Sequence, residues 1–241
     1  MKPAFTFKRF SICQDRCAMK VGTDGVLLGA WARVEHCRRI LDMGTGTGLV
    51  ALMAAQRSEA HIVAIDLDAD AVEQAKENVA ASPWADRIQV YEADAREVES
   101  FQFSTFNFQF SFDAILCNPP FFENSLKSPD AARTMARHTD TLSFDELARS
   151  AARLLTPEGE LSVVIPYDRA HDMTVSAACH GLFATRQTIV VPVEGGKPKR
   201  MLMAFTREGG THTVNTLHIQ DFQRCYTSEY IRLVEEFYLK M

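Results

Sequence analysis

A polar amide, two prolines and an aromatic residue stand directly after an apolar, strand-like run at 112–117. They are Asn118, Pro119, Pro120 and Phe121. In open α/β sheets, ligands bind in the crevice beyond the carboxyl ends of the strands. The Asn118 side-chain oxygen and the Pro119 carbonyl could accept both N–H groups of an exocyclic amine, and Phe121 could stack on its ring. The pattern therefore indicates a site for a flat aromatic amine, and its alternative is a proline turn that only closes the strand.

A second motif lies upstream, where glycines alternate in a turn between an apolar strand and a helix start. The turn contains Gly44, Gly46 and Gly48, and Asp42 opens it. Glycine lets the backbone turn tightly and lets a ligand approach without a Cβ in the way. Asp66 ends the next apolar run, at about the distance where an acidic residue binds a ribose hydroxyl pair. We expect this motif to bind a nucleotide-containing cofactor.

The acidic residues near the glycine turn bear on which cofactor fits. A dinucleotide carries a pyrophosphate, whose negative charge favours a glycine loop on a bare helix N-terminus. S-adenosylmethionine carries a sulfonium and an amino group against one carboxylate, so acidic neighbours suit it better. Asp94 follows a strand-like stretch and is positioned to accept from the adenine amine. We predict S-adenosylmethionine as the cofactor, bound by Asp42, the three glycines, Asp66 and Asp94.

With both motifs in place, the chain resembles the class I small methyltransferases, in which a glycine motif precedes Asn-Pro-Pro-Tyr/Phe. More closely, it resembles the bacterial family that methylates N6 of adenine 37 in a valine tRNA. The stretches that carry the closer resemblance are 16–31, 42–49, 82–88, 118–121 and 237–241. This resemblance implies direct methyl transfer to the amine, with Asn118, Pro119 and Phe121 as the catalytic residues and tRNA as the partner.

The motifs alone leave other functions open. They also occur in enzymes that methylate glutamine amides of proteins or guanine N2 of ribosomal RNA, and only the 16–31 stretch and the family resemblance separate these substrates. A module that binds cofactor and RNA without catalysis belongs to a different class. For such a module we expect Asn118 or the glycines to be eroded, and they are intact.

Charge and composition limit the partners. The net charge of −5 argues against indiscriminate nucleic-acid binding, so we expect RNA to contact a local basic rim. The residues predicted to form that rim are Lys197, Lys199, Arg200, Arg133 and Arg137. The six cysteines show no paired metal-ligand spacing, and we expect no metal. We expect no membrane segment either, because no apolar run is long enough and no signal peptide is evident, and we place the protein in the cytoplasm.

Alternating strand and helix patterns predict an α/β, Rossmann-like fold with a mostly parallel seven-stranded sheet and an antiparallel edge hairpin. We expect a single methyltransferase domain over 1–241, with an N-terminal extension at 1–35 and a C-terminal appendage at 207–241. The predicted strands are 39–43, 61–66, 88–92, 112–117, 160–166, 183–192 and 200–206, and the predicted helices are 48–57, 69–81, 143–155, 168–180 and 227–239. The alternating phenylalanines at 101–112 predict a packed extension of the following strand rather than an RNA-stacking segment.

Overall fold

The structure is a computed structural model that describes residues 4–17, 20–97, 111–119 and 142–240. Its strands are β1 (Ala4–Thr6), β2 (Ser11–Cys13), β3 (Arg39–Met43), β4 (His61–Asp66), β5 (Ile88–Glu92), β6 (Phe112–Cys117), β7 (Leu155–Pro166), β8 (Phe183–Val193), β9 (Arg200–Thr206) and β10 (Thr213–Gln220). Its helices are α1 (Thr23–Trp31), α2 (Leu49–Arg57), α3 (Ala69–Ala80), α4 (Phe144–Leu154), α5 (Ala170–Cys179) and α6 (Ser228–Val234).

The central sheet has the strand order β10-β8-β9-β7-β6-β3-β4-β5. Strands β5, β4, β3, β6 and β7 pair in parallel, as expected for strands joined through helices. Strand β9 runs antiparallel to both β7 and β8, which forms the predicted hairpin. The predicted fold class is confirmed.

The described sheet contains eight strands rather than the predicted seven. The additional strand, β10, pairs in parallel with β8 outside the hairpin, in register from Thr213 opposite Arg186 to Gln220 opposite Val193. It comes from the predicted C-terminal appendage at 207–241. Strands β3, β4, β6, β7, β8 and β10 therefore all end at one edge of the sheet, called here the carboxyl edge.

Short polar signals set the helix boundaries. Helix α4 begins with a capping box, in which the Ser143 hydroxyl accepts from the Glu146 N–H and Glu146 accepts from the Ser143 N–H. The Asp68 side chain accepts from the Asp70 N–H at the start of α3. Strand β7 begins at Leu155 rather than at residue 160, because its early residues pair irregularly with β6 across a register shift.

The N-terminal and C-terminal segments pack together on one face of the sheet. Phe7 and Phe10 stack with ring centroids 4.7 Å apart, and Phe10 meets Trp84 edge to face. The Lys8 ammonium donates to the Glu235 carbonyl at 2.6 Å. This face shares one buried apolar cluster with α1 and α2, so both termini contribute to the core of the sheet.

Candidate active site

The glycine turn between β3 and α2 is built on left-handed backbone. Gly44, Gly46 and Gly48 have φ values of 71°, 55° and 82°. A Cβ added at Gly44 or Gly46 would meet nothing within 4 Å, so backbone conformation rather than lack of space requires glycine at these two positions. The N–H groups of Gly44 and Thr45 both donate to the Ile65 carbonyl at 2.9 Å, which fixes the turn against the end of β4.

Asp42 lies beneath this turn and is 1% exposed. Its Oδ2 accepts from the Thr45 hydroxyl at 2.6 Å and from the Ala51 N–H of α2 at 3.1 Å. Burial raises the pKa of Asp42 to about 7, although both hydrogen bonds act in the opposite direction. These contacts assign Asp42 the role of holding the turn and the start of α2 together, and its predicted contact with the cofactor stays a prediction.

Asp66 stands at the end of β4, at the wall of the cleft described below. Its Oδ2 accepts from the Gly46 N–H at 2.8 Å and its Oδ1 from the Asp68 N–H at 3.0 Å. Burial raises the pKa of Asp66, against the effect of these backbone donors. A carboxylate has about four acceptor positions, so Asp66 can still accept hydrogen bonds from a ligand.

A cleft with a cavity volume of about 110 Å³ opens at the carboxyl edge. Its lining residues are Met43, Gly44, Ile65, Asp66, Leu67, Ala93, Asp94, Ala95, Arg96, Cys117, Pro119 and Leu142. The lining combines apolar side chains with the carboxylates of Asp66 and Asp94 and the guanidinium of Arg96, a composition that suits a flat ring joined to a hydroxylated sugar.

Asp94 is oriented by a neighbour that the sequence did not single out. The Arg96 Nε lies 2.9 Å from each carboxylate oxygen of Asp94, and a second guanidinium nitrogen lies 2.5 Å from Oδ2. The Arg96 hydrogen bonds hold the pKa of Asp94 below its ordinary value. Asp94 is therefore kept ionised as an acceptor at the cleft wall, and its remaining lone pairs can take an amine.

Asn118 and Pro119 follow β6 at this same edge. Strand β6 pairs with β3 up to Met43 opposite Cys117, so Asn118 comes one residue beyond the pair that leads into the glycine turn. Asn118 is half-buried and Pro119 is buried. Among the described residues, the Asn118 side chain has no hydrogen-bond partner, which leaves its amide available to a ligand. The predicted catalytic Phe121 lies outside the described residues.

A family model described as the methyltransferase small domain matches residues 20–186. A curated relative from Phocaeicola vulgatus, named tRNA1(Val) (adenine(37)-N6)-methyltransferase, is 52% identical over 239 residues, covering 99% of each chain. Relatives of the same name from Bacteroides thetaiotaomicron and Tolumonas auensis are 48% and 43% identical, covering 99% of this chain and 98% of their own. The chain belongs to the methyltransferase small domain family.

Solved structures show the same fold for this methyltransferase. A crystal structure of a predicted O-methyltransferase from Agrobacterium tumefaciens has a TM-score of 0.67 at 20% identity, covering 89% of this chain and 96% of its own. A TehB-like SAM-dependent methyltransferase from Corynebacterium glutamicum has a TM-score of 0.50 at 17% identity, covering 78% and 89%. Among the described residues, no group of three or more His, Cys, Asp or Glu side chains could hold a metal ion.

The methyltransferase also contains a buried amide that connects the glycine turn to the N-terminal segment. Asn78 of α3 is 2% exposed, and its Nδ2 donates to the Thr47 carbonyl at 2.8 Å and to the Cys13 carbonyl at 2.9 Å. Its Oδ1 accepts from the Cys13 N–H at 2.8 Å. One turn earlier, Gln74 accepts from the Arg16 N–H at 3.0 Å. Neither amide was predicted from the sequence, where the only hint is that two polar residues stand four apart on the apolar stripe of α3.

Of the five residues predicted to form the basic rim, three are described by the structure, and they differ in exposure and pairing. Lys197 and Lys199 are exposed in the turn between β8 and β9, at the carboxyl edge. The Arg200 Nε instead donates to Asp24 of α1 at 2.8 Å, so this cation is paired within the protein. Arg133 and Arg137 lie outside the described residues. The sequence pattern gave no indication of the Arg200 pairing, because Asp24 is distant along the chain.

Proposed function

We propose that this methyltransferase transfers a methyl group from S-adenosylmethionine to N6 of adenine 37 in a valine tRNA. The observation that carries the proposal is the position of the half-buried Asn118 at the end of β6, beside the strand that leads into the glycine turn. Near full-length relatives, 43–52% identical to this chain, carry the name of that activity.

The cleft residues fit this cofactor through three kinds of contact. Asp66 keeps acceptor positions free for the two ribose hydroxyls, and Asp94 keeps an acceptor for the adenine amine. The glycine turn offers backbone that no Cβ shields. When bound, S-adenosylmethionine supplies a methyl group on a cationic sulfur. Asp66 also adds a negative charge to the cleft lining, which favours a cationic cofactor over an anionic dinucleotide.

Asn118 and Pro119 would act on the nucleophile. The exocyclic nitrogen of adenine is a poor nucleophile because its lone pair is delocalised into the ring. Acceptance of both N–H bonds by the Asn118 side-chain oxygen and the Pro119 carbonyl favours a tetrahedral nitrogen with a localised lone pair. Such fixed dipoles contribute ~3–4 kcal/mol to transition-state stabilisation in enzymes where single groups have been removed. No base is needed for attack, since the methylated nitrogen loses its proton to water afterwards.

The target adenine must unstack from its neighbouring bases in the tRNA to reach Asn118 at the carboxyl edge. An anticodon-loop nucleotide is the least costly case, because it is already unpaired. We place Phe121 against the extruded base and Lys197 and Lys199 against phosphates, with Arg133, Arg137 and Arg200 as further members of the rim. No described helix is long and apolar enough to span a membrane. A cytoplasmic location follows from the tRNA substrate that we propose.

We further propose that the whole chain acts as one domain. The family match spans residues 20–186, and the apolar cluster that includes α1 and α2 also contains residues from both ends of the chain. Phe7 from the N-terminal segment and Phe237 beyond α6 are members of that cluster. The N-terminal extension and the C-terminal appendage are therefore parts of the catalytic unit in this proposal.

Two valine tRNA transcripts that differ only at position 37 test the substrate assignment. With labelled cofactor and mass spectrometry of the released nucleosides, we expect N6-methyladenosine from the adenine transcript. We expect no methylation when guanine stands there, because its O6 sets an acceptor against the Asn118 and Pro119 acceptors. Equal methylation of both transcripts, or methylation at guanine N2, would refute adenine specificity.

A further inference from the structure

Phe222 is 72% exposed, the largest exposed fraction of any large apolar side chain in the described part of the protein. It lies in the turn 221–226, which follows β10. The turn is well fixed, since Asp221 Oδ1 accepts from the N–H groups of Gln223 and Cys225 at 2.8 and 2.9 Å. These hydrogen bonds hold the turn that presents the aromatic ring to solvent.

A second turn supports the Phe222 ring. Gly195 lies between β8 and β9 with φ 75°, and a Cβ added there would lie 2.8 Å from the Phe222 ring. Glycine is thus required both for backbone conformation and for close approach of the ring. The Glu194 N–H donates to the Gln220 carbonyl at 2.8 Å, which joins the two turns directly. We call the surface formed by 194–199 and 221–226 the turn platform.

The charges of the turn platform favour an anionic partner. Its exposed cations are Lys197, Lys199 and Arg224, and its two carboxylates are Asp221 and Glu194. The Asp221 carboxylate accepts two backbone N–H bonds, so part of its charge is compensated within the turn. The chain as a whole carries a net charge of −5. A local excess of exposed cations around an aromatic ring is typical of single-stranded nucleic-acid sites.

The sheet topology relates the turn platform to Asn118. Strands β8 and β10 run parallel to each other and in the same direction as β6, so both turns lie at the carboxyl edge. With neighbouring strands ~4.8 Å apart, β8 lies three spacings and β10 four spacings from β6, or ~14 and ~19 Å. This separation is too large for contact with the base that Asn118 binds. It suits a nucleotide elsewhere in the same RNA loop.

We propose that the turn platform binds an unpaired nucleotide of the substrate RNA outside the catalytic pocket, with Phe222 stacking on the base and Lys197, Lys199 and Arg224 contacting phosphates. This inference rests on the proposed function, because it assigns the platform to the same RNA. It gives the C-terminal appendage a role in substrate binding, through β10 and the turn that follows it.

The test compares Phe222→Ala with wild type in binding and steady-state methylation of the valine tRNA. We expect the tRNA dissociation constant and KM to rise about tenfold, as expected from loss of one base–aromatic stack. We expect kcat at saturating tRNA and the affinity for S-adenosylmethionine to be unchanged. Phe222→Trp is expected to retain binding and Phe222→Leu to lose it, since stacking needs an aromatic face.

Phe183→Ala provides the matched control. Phe183 is 47% exposed and begins β8, so it lies at the opposite edge of the sheet. We expect this variant to bind tRNA like wild type, with thermal melting used to confirm that all variants are folded. If Phe222→Ala or Phe222→Leu binds the valine tRNA as tightly as wild type, the turn platform does not stack a base on Phe222. Absence of methylation by wild type would instead contradict the proposed function.

Discussion

At the scale of single residues, Asp42 has a charge state that is coupled to the fold. Burial raises its pKa from 3.8 to about 7, because the carboxyl is enclosed beneath the glycine turn. Between these two values, the folded protein keeps a proton that the unfolded chain has lost. The contribution of Asp42 to the free energy of unfolding therefore falls as the pH rises from about 4 to about 7. Above pH 7 this contribution no longer changes.

This coupling predicts the behaviour of Asp42→Asn, which keeps an acceptor for Thr45 and Ala51 but cannot ionise. One pKa unit of difference between folded and unfolded states is worth ~1.4 kcal/mol. We expect the free energy of unfolding of wild type to fall by ~2–4 kcal/mol relative to the variant between pH 4 and pH 7. Urea titrations of both proteins measure this difference, and other titrating groups cancel in the comparison. A pH-independent difference would show that folding does not raise the pKa of Asp42.

At the scale of elements, α3 connects the N-terminal segment to the cofactor cleft. Asn78 bonds both Thr47 of the glycine turn and Cys13, whereas Gln74 bonds the N-terminal segment at Arg16. Substitution of each amide in turn therefore separates the two sets of contacts. Gln74→Ala loosens the N-terminal segment alone, and Asn78→Ala also frees the Thr47 carbonyl.

We expect Asn78→Ala to weaken S-adenosylmethionine binding by about tenfold, because a glycine turn without this bond is less fixed. Loss of hydrogen bonds to buried partners costs ~1–3 kcal/mol for each unsatisfied group, so the variant is also expected to be less stable. Gln74→Ala is expected to retain cofactor affinity. Calorimetry on folded samples makes the comparison, and equal cofactor affinity in the two variants would limit Asn78 to a role in stability.

Local patterns in the sequence were sufficient for most elements, as the predicted strand at 61–66 and the predicted helix at 143–155 illustrate. Contacts between distant segments were not predictable in the same way. The pairing of β10 with β8 depends on strand order, and the ion pair of Arg200 with Asp24 depends on how α1 packs on β9. In the site, glycines and carboxylates have distinctive spacings, whereas Arg96 and Asn78 acquire their roles only through the folded geometry.

At the scale of the whole molecule, the carboxyl edge gathers the parts that the proposed reaction needs. The cofactor cleft lies at β3, β4 and β6, and the turn platform lies at β8 and β10. The N-terminal and C-terminal segments contact each other, as the hydrogen bond from the Lys8 ammonium to the Glu235 carbonyl shows. In the proposed reaction, the cofactor and the RNA therefore meet at Asn118.

The most direct test of this account is single-turnover methyl transfer by Asn118→Ala to adenine 37 of the valine tRNA. We expect cofactor affinity to stay within a few-fold of wild type while the transfer rate falls by about two orders of magnitude or more. Asn215→Ala, at an exposed position of β10, serves as the matched substitution and is expected to transfer at the wild-type rate. Near wild-type transfer by Asn118→Ala would contradict the account and leave Asn118 as a turn residue.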